Sequence, residues 1–184
     1  MSDAKGSFPK TTAGCSGPVS ETAAGAILTI DLGAIRENYR RLKARLRATH
    51  CAGVVKADGY GLGAAEVATA LAAEGCTAFF VAHLAEGVAL RKALGPEPAI
   101  HVLNGLPPGS EGEAVEAGLC AVINSAAQLK AWGEAGPKAG RKLPAAIQVG
   151  SGMSRAGMPP GGGGRAARWA DVLYRPADTA GERP

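Results

Sequence analysis

Lys56 stands where an amine could do covalent chemistry. It ends the apolar run 51–56, and a lysine at the carboxyl end of a parallel strand lies where α/β barrels gather their reactive groups. An amine that is partly desolvated at such a position can form a Schiff base with an aldehyde. The alternative is that Lys56 is a surface residue whose amine extends into water.

A glycine-rich loop follows this lysine directly. Residues 58–63 read Asp-Gly-Tyr-Gly-Leu-Gly, and glycines allow positive φ angles and a close approach of the backbone to a ligand. The loop leads into a predicted helix, whose N-terminus favours a phosphate. Tyr60, four residues after Lys56, could offer its hydroxyl to that phosphate. As a bare glycine-rich loop, this signal is weak.

A short strand and a helix are predicted before the lysine segment. Residues 27–31 form an apolar run typical of a strand, and Asp31 is placed to cap the helix that follows. Basic side chains line the opposite face of that helix. Its apolar positions recur at helical spacing and are Leu32, Ile35, Tyr39, Leu42 and Leu46.

From residue 51 onward the chain repeats a strand–helix unit. The predicted strands are the apolar runs 51–56, 77–81, 99–103, 119–123 and 145–149. The predicted helices cover about 64–74, 84–94 and 111–117, and a fourth runs from its cap at Ser125 to about Glu134. Apolar strands that alternate with helices imply a parallel α/β sheet buried on both faces. Spacing alone does not distinguish an open doubly wound sheet from part of a closed (β/α)8 barrel.

Composition and charge limit the class of protein. The 184 residues are 46% hydrophobic, which allows one domain with a sizeable core, and the formal charge is +4. No cluster of Lys and Arg alternates with aromatic residues, so no nucleic-acid surface is predicted. No apolar stretch is long enough for a membrane span, and the N-terminus lacks the apolar core of a signal peptide. We therefore predict a cytoplasmic protein that binds neither membrane nor nucleic acid.

Cysteines and histidines lack the spacing of metal ligands, and no metal site is predicted. The cysteines occur singly in or near apolar runs, which is typical of free thiols in a reducing compartment: Cys15, Cys51, Cys76 and Cys120. The histidines are predicted to be structural or exposed: His50, His83 and His101. The glycines at 150 and 152 do not open a dinucleotide-binding unit.

Both ends differ from the repeating region. Residues 1–26 are rich in Gly, Ser, Thr and Ala and are predicted to be a disordered extension. After residue 160, four glycines open an Arg- and Pro-rich segment without periodicity, where a strand and a helix were due. We therefore divide the chain into 1–26, 27–160 and 161–184. The last segment is a linker or an unrelated ending, and its abrupt start favours the second.

Three segments resemble motifs of the alanine racemase family. The run 54–63 is similar to the family's cofactor-lysine motif, and 30–38 resembles its opening segment at the usual distance upstream. Residues 152–157, Gly-Met-Ser-Arg-Ala-Gly, resemble a third motif after the fifth strand. The resemblance runs from about Ile27 to Pro160. It implies an incomplete (β/α)8 barrel of the TIM type, with about the first five βα units. In the family this barrel precedes a β-rich C-terminal domain.

The resemblance also implies a pyridoxal 5′-phosphate cofactor and three site residues. Lys56 would hold the cofactor as a Schiff base and act as a base on one face of the substrate α-carbon. Tyr60 would bind the cofactor phosphate. Arg155 would hydrogen-bond the phenolic oxygen of the cofactor and help to place the substrate carboxylate. Without the family, Arg155 is a surface residue at a glycine-rich turn.

The implied activity is the interconversion of L-alanine and D-alanine by a homodimer, which supplies D-alanine for peptidoglycan. In the family the opposite base is a tyrosine of the partner subunit's C-terminal domain, and this sequence contains no counterpart. We therefore expect a truncated racemase with little or no activity alone. The alternatives are a non-catalytic truncated gene product and a pyridoxal-phosphate-binding module.

Overall fold

The computed structural model describes residues 23–46, 49–150, 152–153, 155–159 and 173–174. Contacts divide the chain at Ile30, so that the described residues 23–30 lie in one unit and those from Asp31 onward lie in another. Most of the predicted extension 1–26, and the proposed tail after residue 160 apart from 173–174, lie outside the described residues. The boundaries of the three predicted segments therefore remain predictions.

The strand predicted at 27–31 is wrong. Residues 26–31 belong to no helix or strand, and the apolar side chains there are exposed, with Leu28 at 72%. A strand needs a partner for its backbone hydrogen bonds. Within the described residues no strand pairs with this segment. An apolar run alone was therefore insufficient to predict its conformation.

The second unit alternates strands and helices in the predicted order. The strands are β1 (Gly53–Val54), β2 (Ala78–Val81), β3 (Ala99–Val102), β4 (Cys120–Ile123), β5 (Leu143–Ile147) and β6 (Leu173–Tyr174). The helices are α1 (Leu32–Arg45), α2 (Lys56–Gly61), α3 (Ala64–Ala73), α4 (Leu84–Leu94), α5 (Glu111–Glu116) and α6 (Ala126–Lys138). The short strand β6 was not predicted, and β1 ends before Lys56.

The strand order distinguishes the two architectures that spacing left open. All neighbouring strands are parallel, and they pair in sequence order from β1 to β6. A doubly wound sheet reverses its strand order at a switch point, whereas a barrel wall adds each strand beside the previous one. Right-handed crossovers then place the connecting helices on one side of the sheet. The fold is that of the N-terminal part of a (β/α)8 barrel, as predicted, and the described residues form four βα units followed by β5 and β6.

The hydrophobic core lies between the sheet and these helices. Its largest fully buried side chains include Trp132, Phe79, Ile100, Leu119 and Ile123. Strand register places a different row of residues on the second face of the sheet, in the order Val54, Phe80, His101 and Cys120. Burial on this face is uneven, since Val54 is 46% exposed. The prediction of strands buried on both faces is therefore only partly correct.

The second face of the sheet holds one of the three histidines. His101 stacks on Phe80, with ring centroids 4.6 Å apart, and burial lowers the pKa of its imidazole. It is therefore neutral near pH 7, in agreement with a structural role. Among the described residues, no three His, Cys, Asp or Glu side chains converge as metal ligands. No helix in this part of the chain is long and apolar enough to span a membrane.

The cysteines that the structure describes are free thiols. Cys51 is half-buried, and Cys76 and Cys120 are buried. Burial raises the pKa of the Cys120 thiol to about 12, so this group is not a thiolate near neutral pH. Cys15 lies outside the described residues. Free thiols at the three described positions agree with the prediction.

The structure fixes the start of α1 and the end of α6, both of which we predicted from the sequence. Asp31 Oδ1 accepts the N–H of Ala34 at 3.0 Å, so the predicted cap of α1 is confirmed. The predicted end of α6 at Glu134 is wrong, because the helix continues through Pro137 to Lys138. Burial of Ala135 against the core stabilises this last turn despite the proline.

The basic side chains of α1 contact the end of α3. The Glu74 carboxylate accepts hydrogen bonds from Arg36 and Arg40, and its carbonyl accepts one from Lys43 at 3.0 Å. The bonds from Arg40 and Arg36 lower the pKa of Glu74 from 4.5 to about 2. Leu42, predicted to be on the apolar face, is 57% exposed. The basic face of α1, opposite the predicted apolar positions, therefore makes a tertiary contact.

We expect Glu74→Gln to lower the thermal unfolding midpoint at pH 7 by a few degrees. Because the pKa of Glu74 is lower in the folded state, its carboxylate stabilises the fold above pH 4.5. This contribution is lost as the pH falls toward 2, so the difference from wild type should shrink over that range. Unfolding followed by circular dichroism at several pH values measures it. Glu134→Gln is the matched control, and a pH-independent difference for Glu74→Gln would contradict the prediction.

Candidate functional site

The helix α2 begins at Lys56 and is left-handed. Four successive residues have φ between 52° and 64° and ψ between 35° and 50°: Ala57, Asp58, Gly59 and Tyr60. Three of them carry a Cβ atom, and this conformation costs roughly 1–2 kcal/mol for each such residue. Surrounding contacts must offset that cost, and strain of this kind is concentrated at functional sites. The chain therefore holds an unfavourable backbone next to its candidate nucleophile.

Hydrogen bonds within the segment hold this turn. The N–H of Gly59 donates to the carbonyl of Val55 at 2.9 Å, and the N–H of Gly63 donates to the carbonyl of Asp58 at 2.9 Å. Asp58 Oδ1 also accepts the N–H of Ala64 at 2.8 Å, which satisfies the first donor of α3. The turn and the start of α3 are therefore one hydrogen-bonded unit.

Glycine is favoured at position 59 for two reasons. Its φ is +64°, and a Cβ atom there would lie 3.2 Å from the backbone nitrogen of Ala64. Gly61 and Gly63 also have positive φ, at 82° and 89°. The prediction of positive φ in the glycine-rich loop is therefore confirmed, while the same conformation at the non-glycine residues was not predicted.

The turn brings Lys56 and Tyr60 together. Lys56 Nζ lies 6.0 Å from the centroid of the Tyr60 ring. Lys56 is half-buried, whereas Tyr60 is 63% exposed. An amine and a phenol hydroxyl are thus presented by one short segment at the carboxyl end of β1. This arrangement can offer a nucleophile to an aldehyde and a hydrogen-bond donor to an anion.

Arg155 lies in the loop after β5 and is exposed. The ends of this loop are joined, because Gly150 N–H donates to the Met158 carbonyl at 2.8 Å and Met158 N–H donates to the Gln148 carbonyl at 2.9 Å. The side-chain amide of Gln148 donates to the carbonyl of Ala156 at 3.3 Å. Within the described residues, Arg155 makes no hydrogen bond or ion pair with the two predicted site residues of α2. A direct contact is thus seen for one pair of predicted site residues, Lys56 and Tyr60.

Glu86 joins α2 to the next βα unit, and we did not predict it from the sequence. Its Oε1 accepts the N–H of Ala57 at 2.9 Å, and its Oε2 accepts those of Ala82 and His83 at 2.7 and 3.0 Å. Burial raises the pKa of Glu86, but these hydrogen bonds outweigh burial and lower it overall. The sequence does contain a signal for part of this role. Glu86 is the third residue of α4, where a glutamate side chain commonly accepts a hydrogen bond from the backbone N–H of the N-cap residue.

A cavity of about 620 Å³ opens near the carboxyl ends of β2, β3 and β4. Its polar lining is formed by His83, Asn104, Ser110, Glu113 and Gln128. None of the three predicted site residues lines it. The cavity is therefore separate from the segment that presents the amine.

The fold and the site define a barrel-type α/β protein with a candidate amine nucleophile at the carboxyl end of its first strand. The family model described as "Alanine racemase, N-terminal domain" matches residues 30–171. The chain belongs to the alanine racemase family. The match begins one residue before the cap of α1 and extends beyond the loop that carries Arg155.

Two curated relatives and one solved structure give the extent of the similarity. A protein named "Alanine racemase, catabolic" from Mesorhizobium japonicum is 78% identical over 143 residues, which cover 78% of this chain and 38% of that protein. An alanine racemase from Brucella ovis is 49% identical over 138 residues, covering 75% of this chain and 35% of that one.

The solved structure is an alanine racemase from Bartonella henselae with covalently bound pyridoxal phosphate. It superposes with a TM-score of 0.75 at 35% identity, over 79% of this chain and 43% of the other. The chain therefore spans 35–43% of the length of these three proteins.

Proposed function

We propose that this chain provides the lysine half of an alanine racemase site, which interconverts L-alanine and D-alanine with pyridoxal 5′-phosphate. The observation that carries the proposal is the left-handed turn that presents Lys56 beside Tyr60 at the carboxyl edge of the sheet. The 78% identity to a protein named as a catabolic alanine racemase supports the choice of alanine as the substrate.

The residues of α2 fit pyridoxal phosphate, which carries an aldehyde and a phosphate on one small ring. The amine of Lys56, a half-buried residue, suits the aldehyde, and the hydroxyl of Tyr60, an exposed residue, suits the phosphate. Both groups come from one turn, so a single small molecule can meet both. When bound, this cofactor absorbs the charge left on the substrate after the α-proton leaves. The Bartonella henselae protein holds the same group covalently.

Each residue has its own role in this proposal. Lys56 would hold the cofactor through its amine. Once the amino group of the substrate has replaced that amine, the freed Nζ would take the α-proton from one face of the substrate. Tyr60 donates its hydroxyl hydrogen to the cofactor phosphate. Arg155 donates to the phenolic oxygen of the cofactor and helps to place the substrate carboxylate. Return of the proton on the opposite face needs a second base, for which we assign no residue of this chain.

Proton exchange in D2O tests this assignment. We expect the chain with pyridoxal phosphate to introduce deuterium at the α-carbon of alanine, because Lys56 exchanges its protons with solvent. We expect little or no conversion of L-alanine to D-alanine by this chain alone. NMR measures the first and a D-amino-acid-coupled assay the second. The proposal fails if the cofactor is bound covalently but the α-proton does not exchange.

The physiological context forms a further part of the proposal. The predicted supply of D-alanine for peptidoglycan is one possibility, but the name of the 78% identical relative favours a catabolic role. Deletion of the gene distinguishes the peptidoglycan role from the catabolic role, since only the peptidoglycan role predicts that growth then requires added D-alanine. We also propose a cytoplasmic homodimer, and light scattering of the purified protein measures the number of subunits.

A further inference from the structure

One carboxylate ties the carboxyl edge of β1 to that of β2. The Glu86 carboxylate accepts three hydrogen bonds from backbone N–H groups. One comes from Ala57 in α2, and two come from Ala82 and His83 after β2. All three bonds are between 2.7 and 3.0 Å long. Hydrogen bonds to an ionised carboxylate are about twice as strong as neutral ones. The link therefore contributes more to the position of α2 than an ordinary loop contact would.

The bond to Ala57 bears directly on Lys56. The carbonyl of Lys56 and the N–H of Ala57 belong to one planar peptide group, so fixing that N–H also fixes the ψ angle of Lys56. Ala57 is also the first left-handed residue of the turn, with φ of 52°. A residue with a Cβ atom leaves this conformation when nothing holds it. Glu86 provides a hydrogen bond to this residue from a different βα unit.

We propose that Glu86 is a positioning residue for Lys56. It fixes the left-handed entry to α2 and thereby keeps the Lys56 amine beside Tyr60, where an aldehyde can be captured. The inference rests on the proposed function, because it takes pyridoxal phosphate as the aldehyde. Glu86 acts through the backbone and has no role in proton transfer.

Glu86→Gln tests this role. Glutamine offers one acceptor oxygen and turns an NH2 group toward the remaining N–H donors, so it cannot satisfy all three. At saturating pyridoxal phosphate, we expect the first-order rate of Schiff-base formation at Lys56 to fall about tenfold to hundredfold. Rapid mixing with absorbance detection measures this rate. Amide hydrogen exchange, which should accelerate at Ala57, reports the broken bond without reference to the cofactor.

The capture rate and amide hydrogen exchange together distinguish a positioning role of Glu86 from a purely structural role. A structural role would lower the unfolding midpoint and accelerate exchange at core amides such as Leu119, while folded molecules would capture the cofactor at the wild-type rate. Positioning slows capture, and the faster exchange stays near Ala57. Glu86→Asp keeps the charge but is one methylene shorter, so a smaller fall is expected. This second variant decides the question if Glu86→Gln does not fold.

Glu134→Gln, on the exposed surface of α6, is the matched control and should capture at the wild-type rate. An unchanged capture rate in both Glu86 variants overturns the inference. Failure of the wild-type chain to form a Schiff base at Lys56 overturns the proposed function instead. The two failures are thus distinguishable in one set of measurements.

Discussion

Lys56→Ala is expected to abolish covalent attachment of pyridoxal phosphate. A Schiff base requires a primary amine, and alanine offers none. Borohydride reduction followed by mass spectrometry of the peptide that contains residue 56 should find the cofactor mass in wild type and not in the variant. Deuterium exchange at the α-carbon of alanine should be lost at the same time, because the same amine is the proposed base.

The expected loss of labelling is specific to Lys56, because other lysines of the chain do not occupy this position. Lys130 is a suitable control, since its side chain on α6 is 74% exposed and 4.0 Å from Glu134. Lys130→Ala should keep full labelling at residue 56. Equal labelling of the intact wild-type and Lys56→Ala chains would show that the cofactor reacts with surface lysines in general. The proposed site would then be lost.

Trp132→Ala is expected to destabilise the fold by about 3–5 kcal/mol. The Trp132 side chain is 1% exposed, and its indole N–H donates to the Pro144 carbonyl at 3.1 Å. The variant would lose this link between α6 and β5 and leave a large cavity in the core. Urea denaturation followed by circular dichroism measures the free energy of unfolding. Trp132→Phe retains most of the packing and should lose only about 0.5–1.5 kcal/mol through the missing hydrogen bond.

Leu42→Ala supplies the matched control for this large-to-small change. Leu42 is 57% exposed, so its truncation should alter the free energy of unfolding by no more than about 0.5 kcal/mol. Losses of similar size in Leu42→Ala and Trp132→Ala would contradict the assignment of the core. They would indicate that the helices are not packed on the sheet as the structure shows.

Much of the local structure could be predicted because its causes are local. The apolar spacing of 84–94 predicts α4 with its observed bounds, and Asp31 predicts the start of α1. Both depend on side chains that interact within a few residues. The strand at 27–31 failed for the opposite reason, because pairing depends on a distant partner.

The position of Lys56 at the end of an apolar run, the glycines that follow it and the family motif could all be read from the sequence alone. They depend on residue order, which requires no folding. The left-handed turn is held by hydrogen bonds within its own segment and also by Glu86, which lies 29 residues from Ala57 in sequence. No local pattern predicts φ of 52° at Ala57, because local sterics oppose it. Sequence therefore determined which amine is the candidate, and only the tertiary structure, through a hydrogen bond between two βα units, decided how that amine is held.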